Sequence, residues 1–198
     1  MQTQSAFNGP RFFVVGAAKS GTTAVWAWLR QHPDVFLPDV KEPGFFVFEG
    51  CAAEPANGPF DPVYTALITT SWSRYTALYA SSDARLCGDA SPVYITDLRA
   101  AERIRSRIPD ARIIVLLRNP VDRAFSQFLH HRRDGLEPIE DFGAALEAEN
   151  ERCRAGWSWA YAYAGNGHYK PQIEAYLRQF PKCQILFLHF AQLQSEPE

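Results

Sequence analysis

Arg11-Phe-Phe-Val-Val-Gly-Ala-Ala-Lys-Ser-Gly-Thr-Thr-Ala-Val25 decides the reading of this chain. Phe12 to Val15 is an apolar run of strand length, a loop of small residues follows, and an amphipathic helical pattern opens at Thr22. A loop in that setting aims unpaired backbone N–H groups and the positive end of a helix at one point, which suits phosphate-like anions. Lys19 adds a mobile positive charge, and Thr22 and Thr23 add hydroxyl donors on the first helical turn. The stretch points to a phosphorylated or sulfated nucleotide.

The nucleoside-triphosphate loop has the pattern G-x-x-x-x-G-K-[ST], with lysine directly after the second glycine. Gly16 and Gly21 have that separation, but Thr22 takes the lysine position and the lysine stands at Lys19, ahead of the second glycine. The motif is a relative of the triphosphate loop rather than a match to it.

Working outward, strand-like segments recur at Phe12–Val15, Arg85–Gly88, Arg112–Leu117 and Gln184–Phe190, with a shorter piece at Val35–Leu37. Helical patterns lie between them, near Thr22–Gln31, Ser71–Ala80, Asp97–Arg107, Pro120–Arg133, Phe142–Ala155 and Tyr169–Gln179. Strands alternating with helices predict an α/β three-layer sandwich around a mainly parallel sheet, whose ligands collect at the carboxyl ends of the strands. Asn119-Pro120-Val-Asp122 carries a helix-start signature, Gly50–Pro62 reads as a surface loop, and Gln194–Glu198 resembles the start of another helix.

The chain has 198 residues, enough for one substantial core, so residues 1–198 are expected to form a single domain. A hydrophobic fraction of 46% and a charged fraction of 21% are those of an ordinary globular protein. A net charge of −2 leaves no basic footprint for nucleic acid, and the longest apolar runs are too short to span a bilayer. Met1 to Pro10 shows no signal-peptide pattern. Cys51, Cys87, Cys153 and Cys183 are widely spaced, which supports neither a metal site nor a disulfide framework and fits a reducing, cytoplasmic setting.

Lys19-Ser-Gly-Thr-Thr23 directly after a strand resembles the 5′-phosphosulfate loop of the sulfotransferases that use 3′-phosphoadenosine 5′-phosphosulfate (PAPS). Arg118-Asn-Pro120, with Ser126 on the following helix, resembles the 3′-phosphate site of the same family. Val40-Lys-Glu-Pro-Gly-Phe-Phe46 resembles the Lys-Glu-Pro-His-Phe-Phe segment of its glycan-type members. The resemblance runs in family order from Arg11 to Glu198 and implies a P-loop-like fold.

It further implies that Lys19, Ser20, Gly21, Thr22 and Thr23 hold the 5′-phosphate, and that Arg118 and Ser126 hold the 3′-phosphate. Glu42 inherits the general base, Lys19 stabilises the leaving phosphate oxygen, and Lys41 orients the acceptor or pairs with Glu42. Transfer goes to a hydroxyl or amine of a small molecule or saccharide and releases 3′-phosphoadenosine 5′-phosphate (PAP), with no metal required. Pro43 biases Glu42 toward extended backbone.

Gly88-Asp-Ala-Ser-Pro-Val-Tyr94 resembles the family's Glu-Lys-Ser-Pro-x-Tyr segment and puts Asp89 and Tyr94 on the acceptor side. Gly165–Pro181 resembles a further family helix, with Gly167 capping its entry and Tyr169 facing cofactor or acceptor. His168 reads as a capping or surface group. Gly44 and Ala90 replace a histidine and a lysine that would contact an acidic saccharide. Trp157, Trp159, Tyr161 and Tyr163 read chiefly as packing and secondarily as an apolar acceptor pocket, while Arg123, Arg132 and Arg133 read as solvated helix charges.

Family members continue with helices and a basic loop that closes over the nucleotide, so a C-terminal closing segment is expected to be missing. Two alternatives stay open. A P-loop kinase or NTPase would need lysine at the Thr22 position and a metal-holding aspartate, for which Asp89 is the candidate. The other is a degenerate, non-catalytic nucleotide-binding module.

Overall fold

A strand that is apolar at every position is stable only where both of its faces are covered. Phe12–Gly16 (β1) meets that requirement at the centre of the sheet, with all five residues buried. Phe13 and Val15 point into one apolar cluster and Phe12 and Val14 into the other. Each such side chain contributes about 1.5–3 kcal/mol by leaving water. The computed structural model describes residues 9–195. The expectations placed on residues 1–8 and 196–198 lie outside the described residues.

In chain order, β1 is followed by α1 (Thr22–Leu29), β2 (Val35–Phe36), α2 (Phe45–Phe48), α3 (Pro62–Leu67), α4 (Trp72–Ala77) and β3 (Leu86–Ala90). Then come α5 (Ala100–Arg107), β4 (Arg112–Leu117), α6 (Pro120–Arg133), α7 (Phe142–Glu147), α8 (Glu149–Arg154), α9 (Tyr169–Gln179), β5 (Ile185–His189) and α10 (Phe190–Ser195). The five strands form one sheet in the order β2-β3-β1-β4-β5, and every pairing is parallel. The expected α/β architecture is the observed one.

Helices α2, α4, α5 and α9 supply the apolar layer against Phe13 and Val15, through Phe45, Phe46, Tyr75, Ile104 and Tyr176. Helix α1 covers the opposite face through Val25, Trp26 and Leu29. A third cluster packs α6 and α7 against Tyr161 and Tyr163.

Two local expectations are corrected, one after Phe142 and one at the last strand. Phe142–Ala155 is two helices, α7 and α8, joined at Ala148. The expected surface loop from Gly50 is observed as far as Asp61, which caps the first turn of α3 by accepting from Val63 N at 2.8 Å and Tyr64 N at 3.2 Å. The last strand ends at His189, and α10 begins at Phe190 rather than near Gln194.

Candidate active site

The carboxyl end of β1 leads into the small-residue loop. Gly21 caps α1 with φ 91°, a left-handed conformation that glycine adopts without strain, and no side chain caps the first turn. Its leading N–H groups are therefore available to an anion. Thr22 is buried and Thr23 exposed. The fully enclosed Ser20 hydroxyl comes close to the Tyr169 hydroxyl without reaching hydrogen-bond geometry.

Arg118, the first residue after β4, turns back to this loop. Its Nη1 donates to the Lys19 carbonyl at 3.0 Å, and its guanidinium lies 4.7 Å over the Phe190 ring. Tyr169 O–H donates to the Arg118 carbonyl at 3.0 Å, tying the start of α9 to the same corner. Ser126 is half-buried on α6. Gly167 lies in a short helical turn against Pro120, and His168 stands exposed at the N-cap of α9 without a side-chain capping bond.

Glu42 is placed by a second loop. Lys41 and Glu42 form an ion pair, with both side chains half-buried. Glu42 has φ 63°, so its backbone is left-handed and not extended as the proline after it suggests. The loop is clamped from behind: Gly44 N donates to Ser91 Oγ at 3.1 Å and Thr69 N donates to the Pro43 carbonyl at 2.8 Å. Gly44 itself has φ 63° and lies against Phe48, an arrangement that favours glycine over a larger residue. Among the described residues, the non-glycine residues with positive φ are Lys19 and Glu42. Strain of this kind concentrates at functional positions.

Lys19, Lys41 and Glu42 all line one cavity of about 1170 Å³, together with Gly21, Thr22 and Thr23. Burial, reinforced by the nearby Arg133 charge, lowers the Lys19 pKa, while Asp134 and Glu42 act against that shift.

Asp89 and Tyr94, expected on the acceptor side, are both fully enclosed and turned into the protein interior. Asp89 accepts hydrogen bonds from Tyr75 (2.7 Å), Ser91 (2.6 Å) and Tyr94 (2.6 Å). Burial pushes its carboxyl up to about 6, and these three bonds oppose the shift. Since Ser91 also receives the Gly44 N–H, the network supports the Glu42 loop from beneath.

Arg123, read as a solvated charge, is 1% exposed. Its Nη2 donates to the Tyr163 carbonyl, and burial lowers its pKa. Helical periodicity turns this position inward beside Ala124 and Gln127. Arg132 is half-buried and donates to the Glu137 carbonyl, whereas Arg133 is exposed beside Asp134.

The aromatic cluster divides. Trp157, Trp159 and Tyr161 line the cavity, while Tyr163 is wholly buried. Tyr64, His130, His131 and Asp97 also line it, and none was singled out from the sequence. The Asp61-Pro62 cap is the signal that could have placed Tyr64 on a helix.

The chain belongs to the sulfotransferase family: the sequence pattern of the sulfotransferase domain matches residues 9–198. A solved sulfotransferase from Alicyclobacillus acidocaldarius is 34% identical with a TM-score of 0.88, covering 95% of this chain and 76% of that one. Human heparan sulfate glucosamine 3-O-sulfotransferase 6 is 28% identical over 190 residues, covering 95% of this chain and 48% of that protein. A mouse sulfotransferase solved with PAP shares the fold at TM-score 0.58 and 17% identity, over 94% of this chain and 54% of that one. The chain spans less than half the length of such curated relatives.

Proposed function

We propose that this member of the sulfotransferase family moves a sulfuryl group from PAPS to a hydroxyl or amine of an acceptor. The observation that carries the reading is the meeting of Lys19 and Glu42 on one cavity wall, with Arg118 bonded to the Lys19 loop. The mouse relative solved with PAP lends support to the nucleotide assignment. The uncapped start of α1 and the Thr22 and Thr23 hydroxyls suit the 5′-phosphate. Arg118 and Ser126 are assigned to the 3′-phosphate, where a guanidinium can form two parallel bonds.

In the transfer, the acceptor oxygen attacks sulfur in line as the sulfur–oxygen bond to the 5′-phosphate breaks. The electron pair of that bond goes to the phosphate oxygen, where the Lys19 ammonium stabilises the growing charge. The acceptor proton goes to Glu42, and PAP leaves. Lys41 holds the Glu42 carboxylate toward the cavity through their ion pair. Asp89 sits in a closed cage of hydroxyls, so nothing in its placement favours the triphosphate alternative.

Glu42→Gln tests the assignment. Transfer from PAPS is expected to fall at least about 100-fold, as for loss of a general base, with PAP affinity unchanged. Full turnover in that variant would remove Glu42 from the mechanism, and no turnover in the parent with any acceptor would favour a binding module.

A further inference from the structure

The cavity is lined by several aromatic side chains, and its Lys41 and Arg99 charges are paired with neighbouring carboxylates. Trp157, Trp159, Tyr161 and Tyr64 line the same cavity as the Lys19 and Glu42 loops. A cavity of about 1170 Å³ exceeds the roughly 300–1,000 Å³ of ordinary small-molecule sites, so an acceptor has room beside the donor.

The lysines and arginines lining the cavity as a whole are Lys19, Lys41 and Arg99. Lys19 belongs to the donor, Lys41 pairs with Glu42, and Arg99 pairs with Asp97 at 2.9 Å. Burial lowers the pKa of both His130 and His131, and the His130 ring lies 3.4 Å from the Asp134 carboxylate. Carboxylates are more numerous: besides Glu42 and Asp97, Glu54, Asp61 and Asp134 line the same space. Among the described residues, Lys19 is the lining lysine or arginine without an ion pair, and with Lys19 assigned to the donor a sulfated or carboxylated sugar chain would meet mainly carboxylates.

Two polar groups interrupt the aromatic wall. The Tyr64 hydroxyl and the Trp159 indole N–H are enclosed and near one another, yet neither reaches hydrogen-bond geometry with any described residue. Tyr64 also lies close enough to Glu42 to feel its charge. A group left unpaired in an apolar wall gains most from a ligand heteroatom. Aromatic side chains with one polar tip suit a ring that carries a hydroxyl.

We propose that the acceptor is an uncharged or cationic molecule with an apolar or aromatic ring beside its reacting hydroxyl, selected by Tyr64 and Trp159. The inference rests on the sulfotransferase reading and narrows it to a class distinct from acidic saccharides.

Calorimetry in two stages tests it and separates the two readings. PAP is titrated first, and failure to bind would sink the donor assignment itself. 2-Naphthol, tyramine and a heparin-derived tetrasaccharide are then titrated separately into the PAP-saturated protein. The two ring compounds are expected to bind at least ten-fold tighter than the tetrasaccharide. Tyr64→Phe and Trp159→Ala are each expected to weaken ring binding several-fold with the PAP constant unchanged. Tighter binding of the tetrasaccharide, or no binding of either ring compound to the PAP complex, would overturn the acceptor class and leave the donor assignment standing. If Trp159→Ala fails to fold, Tyr64→Phe decides the residue assignment, and unchanged ring affinity in it would overturn that part.

Discussion

Arg118 Nη1 donates to the Lys19 carbonyl oxygen at 3.0 Å, joining the end of β4 to the loop that follows β1. The two residues are remote in sequence, and the parallel pairing of β1 with β4 brings them to the same edge of the sheet. The two segments proposed to hold the nucleotide phosphates thus share one corner, as the proposed binding of both ends of a doubly phosphorylated nucleotide requires.

Arg118 should confer the preference for a 3′-phosphate. In the parent protein, PAP is expected to bind more tightly than AMP. Arg118→Ala should cost PAP about 1.5–3 kcal/mol, roughly 10- to 160-fold, while AMP loses far less. Equal losses for both nucleotides would mean that Arg118 acts only by holding the Lys19 carbonyl.

The left-handed backbones of Lys19 and Glu42 give a stability signature independent of activity. At ordinary positions glycine is less stable than alanine, but where φ is positive the order reverses. Lys19→Gly and Glu42→Gly are each expected to exceed the corresponding alanine variant by about 1 kcal/mol in urea unfolding. Alanine variants as stable as the glycine variants would contradict the backbone geometry.

Asp89 and His131 should give opposing pH dependences of stability. The Asp89 carboxyl, up at about 6 from an ordinary 3.8, contributes stability that is present below the unfolded value and is lost as pH rises through about 6. His131, held down near 4 by burial, contributes stability that is present above the ordinary 6.5 and is lost as pH falls through about 4. Each amounts to about 3 kcal/mol, so between about pH 4 and pH 6 the two slopes largely cancel. Asp89→Asn should leave a curve rising with pH across that window, and His131→Gln one that falls. Urea unfolding at several pH values checks both, and unchanged profiles would contradict the burial of these groups.

Ser91 should act as a positioning residue for Glu42, because it links the Gly44 N–H to Asp89. Ser91→Ala is expected to lower kcat about ten-fold through misplacement of the base, leaving the KM for PAPS unchanged. A fall in PAPS affinity with kcat intact would place Ser91 on the donor side instead.

Much of this was legible in the sequence where the pattern is local. The continuous apolar run at Phe12–Val15, the glycine spacing around Lys19 and the Asn119-Pro120 cap each specify their own structure within a few residues. The parallel sheet follows from alternating strands and helices. Long-range burial was not legible. Arg123 looks like any helix-surface arginine until α6 packs its inward face against Tyr163, and Asp89 looks reactive until Tyr75, Ser91 and Tyr94 enclose it. Local propensity also misled at Glu42, where the proline that follows suggests extended backbone. The clamps from Ser91 and Thr69, distant in sequence, coincide with a left-handed turn there.

Calorimetric titration with PAP, set against ATP with magnesium, tests the central claim most directly. One PAP is expected to bind per chain, at least ten-fold tighter than ATP–magnesium. Tighter ATP–magnesium binding, or no detectable PAP binding, would contradict the account.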